Sequence, residues 1–426
     1  MRILMCNNFF YLRGGTERCF FDLSDLLTSQ GHEVIPFSME HEKNIFSIYS
    51  PYFVSNIDYP SLMNTYNSAG KYFKTTSRVL YSFEAKQKIR QLIEATRPDI
   101  AHIHGIDHQL SPSILDEIKR SGIPIVHTLH DYKLLCPNTT FTSGDEVCES
   151  CKGGNYYQVV INKCKRKSIS ASLLAGMAMY FHKMLRIFEK NVDVFISPSK
   201  YMMNKFDEHG LNIPIVYLPN FINIDRFSPS YQASDYFLFY GRLDRIKGLP
   251  TLVEALKYVK SPRLFIAGDG EMREELEMNI NQDKNTNITL LGHLDTNDLI
   301  PLIQDAMFTV IPSQNLENCP MAILESYACG TPVLGSDLGG IPELIQDSHN
   351  GYLFEPGNIG QLVERIHTFT SDSQNTTAMG LNGRSYVEEF HNPDKYYQQI
   401  ISIYTELIDR YKAGISADES STVGIN

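Results

Sequence analysis

The sequence predicts an α/β protein built of two doubly wound, parallel-sheet domains that face one another across a cleft. Three observations carry this expectation. Short apolar runs of β-type composition alternate with longer amphipathic segments along most of the 426 residues, the pattern of parallel strands covered by helices on both faces. The runs fall into two consecutive series of five or six, which is one doubly wound sheet per series. Hydrophobic residues at 42% with charged residues at 20% give the balance of a folded chain of more than one domain, not of a disordered one.

The first series of strands is expected at residues 2–6, 33–37, 100–104, 123–128, 192–197 and 215–218, and the second at 236–240, 263–267, 288–291, 308–311 and 333–335. Segments 17–30, 251–259 and 321–329 carry the apolar spacing of amphipathic helices. Leu218-Pro219-Asn220 closes the first series and Phe227-Ser228-Pro229 precedes the second. The first domain is therefore set at 1–222, with a cysteine-rich insertion at 132–166, and the second at 223–392. A C-terminal helix at 393–413 is expected to return to the first domain. Residues 414–426 lack apolar periodicity and read as a disordered tail. In open α/β sheets ligands bind beyond the C-terminal strand ends, which places a site in the cleft.

The formal net charge of −11 excludes general nucleic-acid binding. Residues 1–228 hold 25 Lys and Arg against 22 Asp and Glu, while residues 229–426 hold 13 against 27. Halves of opposite sign suit different partners. The apolar start Met1-Arg2-Ile3-Leu4-Met5-Cys6 is too short for a signal peptide, and the weakly polar run 171–181 is well below the ~20 residues that span a bilayer. A cytoplasmic protein is expected, with its eight cysteines as thiols or metal ligands rather than disulfides.

Glu317-Asn318-Cys319-Pro320-Met321-Ala322-Ile323-Leu324-Glu325 places two carboxylates eight positions apart. Pro320 suits the first turn of a helix, with Glu317 on the loop entering it and Glu325 one to two turns inside. Free N–H groups at a helix start favour a phosphate or a sugar hydroxyl, and a carboxylate can accept both vicinal hydroxyls of a ribose. Alone, such carboxylates are more often simply solvated. Tyr240-Gly241-Arg242-Leu243-Asp244-Arg245-Ile246-Lys247-Gly248 leaves a strand end with the cations and glycines that a diphosphate needs. Ala267-Gly268-Asp269-Gly270 forms a second glycine turn at the same sheet edge. His130 falls at the end of strand 123–128, facing the cleft. His102 and His104, spaced like metal ligands, read instead as ordinary interior or edge residues on opposite sides of their strand.

In this order the motifs resemble those of the retaining family 4 glycosyltransferases of the GT-B fold, and the likeness covers nearly the whole chain. Gly14-Gly15-Thr16-Glu17 resembles the family's N-terminal Gly-Gly loop, and Ser336-Asp337-Leu338-Gly339-Gly340-Ile341-Pro342-Glu343 the segment that follows its Glu-x7-Glu pair. The resemblance implies a transferase that takes a nucleotide-diphosphate sugar as donor and a saccharide or lipid-linked acceptor, in cell-surface polysaccharide or glycolipid synthesis. It implies a catalytic set of His130, Arg242, Lys247 and Glu317. The donor would be held by Gly14, Gly15, Gly268, Asn318, Cys319, Pro320, Met321 and Glu325, with Glu325 on the ribose, Glu317 on the sugar, and Arg242 with Lys247 on the diphosphate. Two departures bear on the donor sugar: Asn318-Cys319 stands where Phe-Gly is frequent, and Phe221 follows Asn220 where Gly is usual. The sequence has no Asp-x-Asp, so catalysis without a metal is expected. The rival readings are a catalytically inactive nucleotide-sugar-binding protein and a GT-B sugar-nucleotide epimerase.

Two further expectations concern the first half. Cys136-x11-Cys148-x2-Cys151-x12-Cys164 has the spacing of a structural zinc site of four thiolates, the alternative being free thiols. Cys6, Cys19, Cys319 and Cys329 read as small buried hydrophobes. Basic residues also cluster at 71–90 and 163–190, in the latter around Leu173, Leu174, Met177, Met179, Tyr180, Phe181 and Leu185. This suits a helix lying on an anionic membrane surface, or a core helix with a solvated basic end.

Overall fold

A computed structural model of the chain describes residues 1–57, 77–107, 109–144, 146–211, 213–282 and 287–414. Lys71, Lys74 and the tail 415–426 lie outside the described residues.

Each half forms a six-stranded sheet in which all neighbours are parallel. The first contains β1 (Arg2–Cys6), β2 (Glu33–Phe37), β3 (Ile100–Ile103), β4 (Ile125–Thr128), β5 (Val194–Ser197) and β6 (Ile215–Tyr217), in the order β2-β1-β3-β4-β5-β6. The second contains β7 (Tyr236–Tyr240), β8 (Arg263–Ala267), β9 (Ile288–Gly292), β10 (Thr309–Ile311), β11 (Val333–Ser336) and β12 (Gly351–Phe354), ordered β9-β8-β7-β10-β11-β12. Ile3, Leu4, Met5 and Cys6 of β1 are all fully buried, because a central strand covered on both faces needs an unbroken apolar run.

Strand 123–128 starts late, at Ile125, since Pro124 has no N–H for the ladder. Strand 192–197 starts at Val194, because the Asp193 carboxylate takes the N–H of Ile125 at 2.8 Å. Edge strand β12 adds a member that the apolar-run reading does not contain. A Cβ on Gly351 would stand 2.1 Å from the Val333 carbonyl oxygen, so glycine sets the approach of β12 to β11. Thr142–Ser143 and Glu146–Val147 form a small antiparallel pair in the cysteine-rich insertion.

The helices that matter for the site are α1 (Gly15–Ser29), α2 (Ile169–Leu185), α3 (Lys200–Glu208), α4 (Met321–Ala328) and α5 (Pro393–Lys412). Helix α5 starts with Pro393 at its first position and the Asn392 side chain accepting from the N–H groups of Asp394 and Lys395. It buries Tyr396, Ile400, Tyr404, Leu407 and Ile408 with Ile3, Met5 and Phe20, so the chain crosses back to finish the first domain's core. Among the described residues no helix is long and apolar enough to cross a membrane.

Strand order reverses beside β1 in the first sheet and beside β7 in the second. Chains leaving adjacent strands there pass to opposite faces and open a crevice at the strands' C-terminal ends. At the first crevice stand the loops after β1 and β3, with the loop after β4 alongside; at the second stand those after β7 and β10. Several bonds join the domains across the cleft. Arg226 Nη1 reaches Asp22 Oδ1 at 3.0 Å. The Glu343 carboxylate accepts from the N–H groups of Lys200 and Tyr201, at 2.8 and 2.5 Å, and so caps α3 from the other domain.

Candidate active site

The second crevice gathers charge. Gly248 has φ +76°, and a Cβ there would stand 1.7 Å from the Pro312 carbonyl oxygen. This close approach lays the turn Arg245–Lys247 against the chain leaving β10. Lys247 Nζ thereby donates to Glu317 Oε1 at 2.6 Å, and Ser313 Oγ donates to the same oxygen at 2.7 Å. Burial would raise the Glu317 pKa, but Lys247, Ser313 and the more distant Arg242 outweigh it and hold the carboxyl below its ordinary value. Arg242 pairs with Asp244 and leaves its side chain 65% exposed, open to a ligand.

The loop carrying Glu317 is moulded by the glycines after β11. A Cβ on Gly339 would meet the Glu317 carbonyl oxygen at 2.6 Å, and one on Gly340 the Asn318 carbonyl oxygen at 1.7 Å. Asn318 spans the cleft: its Nδ2 donates to the Leu129 carbonyl at 2.9 Å and its Oδ1 accepts from Ser199 Oγ at 2.6 Å. Cys319 is buried, and its carbonyl accepts from Asn220 Nδ2 at 3.2 Å. Pro320 is the residue capping α4 and Met321 its first residue. Tyr240 Oη donates to the Ala322 carbonyl at 2.6 Å and pins α4 to the end of β7.

Glu325, in the second turn of α4, lies 3.2 Å from Arg18 Nη2 of α1. Burial raises its pKa, Arg18 opposes the rise and Asp22 adds to it. Arg18 is a site residue that the motifs do not name. Its partner is 307 positions away, and no local spacing carries that information.

The first crevice is built around histidines. Gly14 is the extended cap of α1, and a Cβ on Gly15 would meet nothing within 4 Å, so this loop lies open toward the cleft. Glu17 is buried beside Asn7, and burial raises its pKa. His130 Nε2 and His104 Nδ1 lie 2.8 Å apart, one ring donating to the other. His102 and His104 do not sit on opposite sides of the strand. Their rings stack at 4.5 Å, because residues two apart on a strand share a face. His104 thus joins the site through His130, while His102 is an interior residue bonded to Thr128 and Tyr404. Burial lowers all of these histidines, His130 to about 4 and His102 to about 3. Beside them Asp107 and Asp131 are raised, by burial first and, at Asp131, by Asp107 next. Asp131 nevertheless stays open to solvent on one side.

Gly268 has a structural reason of its own. A Cβ there would stand 1.9 Å from the Gly241 carbonyl oxygen, so the glycine lets the two turns pack against each other. Hollows of about 260 Å³ beneath the insertion, lined by Leu135, Cys151 and His182, and of about 530 Å³ beside α5 both lie away from Lys247 and Glu317. The candidate site is the open cleft itself.

Comparison with known proteins gives concordant matches. The sequence model for Glycosyltransferase Family 4 matches residues 13–226, and that for Glycosyl transferases group 1 matches residues 220–386. Over 221 residues the chain is 29% identical to an uncharacterized glycosyltransferase, MJ1178, of Methanocaldococcus jannaschii, covering 51% of this chain and 61% of that relative. Its fold superposes on sucrose-phosphate synthase of Thermosynechococcus elongatus with a TM-score of 0.72, at 20% identity over 96% of this chain and 99% of the other. It also superposes on the Anabaena HepE protein in complex with UDP-glucose, with a TM-score of 0.66 at 17% identity over 95% and 100% of the two chains. The two facing sheets are those of the GT-B fold. One sequence model spans the half with Gly14, Gly15 and His130, the other the half with Arg242, Lys247, Glu317 and Glu325, and the chain belongs to Glycosyltransferase Family 4.

Proposed function

We propose that the chain is a retaining glycosyltransferase that moves a hexose or related sugar from a nucleotide-diphosphate sugar to a saccharide or lipid-linked acceptor of cell-surface polysaccharide or glycolipid synthesis. The observation that carries the proposal is the Lys247–Glu317 pair with Arg242 at the reversal point of the second sheet. In the reaction the bond between the sugar C1 and the diphosphate oxygen breaks, and the acceptor oxygen bonds to C1 on the same face. A leaving phosphate oxygen takes the acceptor's proton. Charge therefore builds on the diphosphate, where Lys247 and Arg242 supply fixed cations without a metal. Glu317, kept ionised by its partners, orients the sugar hydroxyls. Glu325 takes the ribose, and His130, neutral at physiological pH, offers an uncharged hydrogen-bonding face to the sugar. A fold neighbour that holds UDP-glucose supports a donor of this class.

The acceptor reading is supported by α2. Ser172, Ala175, Gly176, Ala178, Met179 and His182 face the core, while Ile169, Leu173, Met177, Tyr180 and Met184 form one exposed apolar stripe. Lys163, Arg166, Lys167, Lys183 and Arg186 lie exposed at its ends. An apolar stripe with a basic rim fits the inner, anionic face of a cell membrane, on which a lipid-linked acceptor would be presented.

The test is a panel of radiolabelled nucleotide sugars. Slow hydrolysis of one donor, lost in Lys247→Ala, is the expected result. Tight binding of a donor without turnover, in the presence of lipid and saccharide extracts, would overturn the transferase reading in favour of a binding protein. Flotation with vesicles rich in anionic lipid tests the surface: the chain should float at low salt, and a failure to bind transfers the proposal to a soluble acceptor.

A further inference from the structure

The segment between β4 and α2 is anchored in the core by Tyr132, Leu135 and Phe141, and its backbone is unusually constrained. Thr139, Phe141, Lys163, Arg166 and Lys167 all have positive φ, between 48° and 76°, and Gly144, Gly153 and Gly154 do so as well. Side-chain-bearing residues enter that region at a cost of about 1 kcal/mol or more each, so something must hold them there.

Backbone bonds draw four cysteines together. The Cys136 carbonyl accepts from the Thr139 N–H at 2.9 Å, and the Thr139 carbonyl from the Tyr132 N–H at 3.2 Å, a tight turn that leads into Phe141. The carbonyl of the same Phe141 accepts from the Cys148 N–H at 2.6 Å. Cys164 Sγ lies 3.9 Å from Ser143 Oγ, two residues beyond Phe141. Cys151 stands near enough to Cys136, Cys164 and Cys148 for each to act on it electrostatically. The Gly153-Gly154 turn closes directly behind Cys151, as a short Cys-x2-Cys loop requires.

With the sulfurs as free thiols, no three His, Cys, Asp or Glu side chains among the described residues stand at ligand spacing. A divalent cation would close that spacing, because coordination deprotonates the thiols and draws them to a common centre.

We propose that Cys136, Cys148, Cys151 and Cys164 bind one zinc ion as a tetrahedral structural site, closed by rotation of the four side chains. Four thiolates leave no open position, so the ion takes no part in group transfer. Its effect is on shape. Glu149, within the Cys-x2-Cys loop, pairs with Lys205 of α3 at 2.7 Å, and Ser199, which caps α3, holds Asn318. The ion thus steadies a brace that ends on the donor loop.

Elemental analysis of the full chain, purified reduced and without chelator, should find about one zinc per chain. After chelator treatment, added cobalt should give the ligand-to-metal and ligand-field absorption of a tetrahedral tetrathiolate. Zinc should also protect four cysteines from alkylation, and chelator should expose them. Cys19→Ser should keep the zinc and Cys151→Ser should lose it. The wild-type stoichiometry and the cobalt spectrum decide even where Cys151→Ser fails to fold. Well under one zinc per chain after reduction and zinc addition would overturn the proposal. So would zinc retained in Cys148→Ser/Cys151→Ser, or a disulfide among these cysteines in protein isolated under reducing conditions.

Discussion

The two crevices share a topology and differ in electrostatics. Around β7 and β10 a buried carboxylate stays ionised, because Lys247, Ser313 and Arg242 together outweigh its desolvation. Around β1, β3 and β4 the balance goes the other way. Among the described residues no carboxylate bonds to His102, His104, His127 or His130, and burial holds these histidines neutral. A paired charge survives burial and an unpaired one is given up. Under the proposed function this difference would divide the labour: the second domain would manage the charge of a leaving diphosphate, and the first would bring neutral imidazoles to the sugar.

The strongest way to break this comparison is to remove the second domain's cation. Lys247→Ala should lower donor turnover by about 3–4 kcal/mol of transition-state stabilisation, a factor of a few hundred. Initial rates with the identified donor check it, and wild-type turnover would end the assignment. Glu325→Ala should act mainly on donor affinity, raising KM by the equivalent of about 1.5–3 kcal/mol, with little loss of thermal stability. Unchanged kinetic constants at unchanged fold would exclude it from the donor site.

The first crevice is tested by acid. Its histidines have folded-state pKa values below the free value of 6.5, His130 at about 4 and His102 and His127 at about 3. As pH falls, the unfolded chain therefore takes up protons first. Stability should be whole above about pH 6.5 and decline progressively from there toward pH 4, the unfolded state binding more protons throughout that window. Thermal melts across this range measure the decline, and His102→Gln should flatten it. The smallest effect is expected where the halves meet. Asn318→Ala removes the bonds to Leu129, Ser199 and Met202 across the cleft and should cost about 1 kcal/mol, seen as a small drop in melting temperature.

Strands were legible where apolar runs were long and unbroken. Arg2–Cys6 and Tyr236–Tyr240 stand at the residues that the runs mark, because a central strand has to be apolar throughout. Edge strand Gly351–Phe354 was not legible: four residues led by a glycine carry no periodic signal, and their place is set by the Val333 backbone. In the candidate site, Glu317 and Lys247 could be named separately from two motifs. That they meet at 2.6 Å depends on the approach of Gly248 to Pro312, which lies in neither motif. Arg18 and His104 were invisible for a related reason. Their partners, Glu325 and His130, lie on other elements, and only the fold brings them together.

The Arg18–Glu325 pair has a consequence for the order of events. Under the proposed function, a ribose arriving at Glu325 would find the carboxylate already engaged by a cation from the opposite domain. Donor entry is then an exchange of partners and not the filling of a vacancy, and the released guanidinium is left beside an incoming polyanion. Arriving substrate would thus convert a strap between domains into a further contact for itself. The kinetic signature is a donor association rate that levels off at high donor concentration in wild type and rises linearly in Arg18→Ala, read by stopped-flow fluorescence.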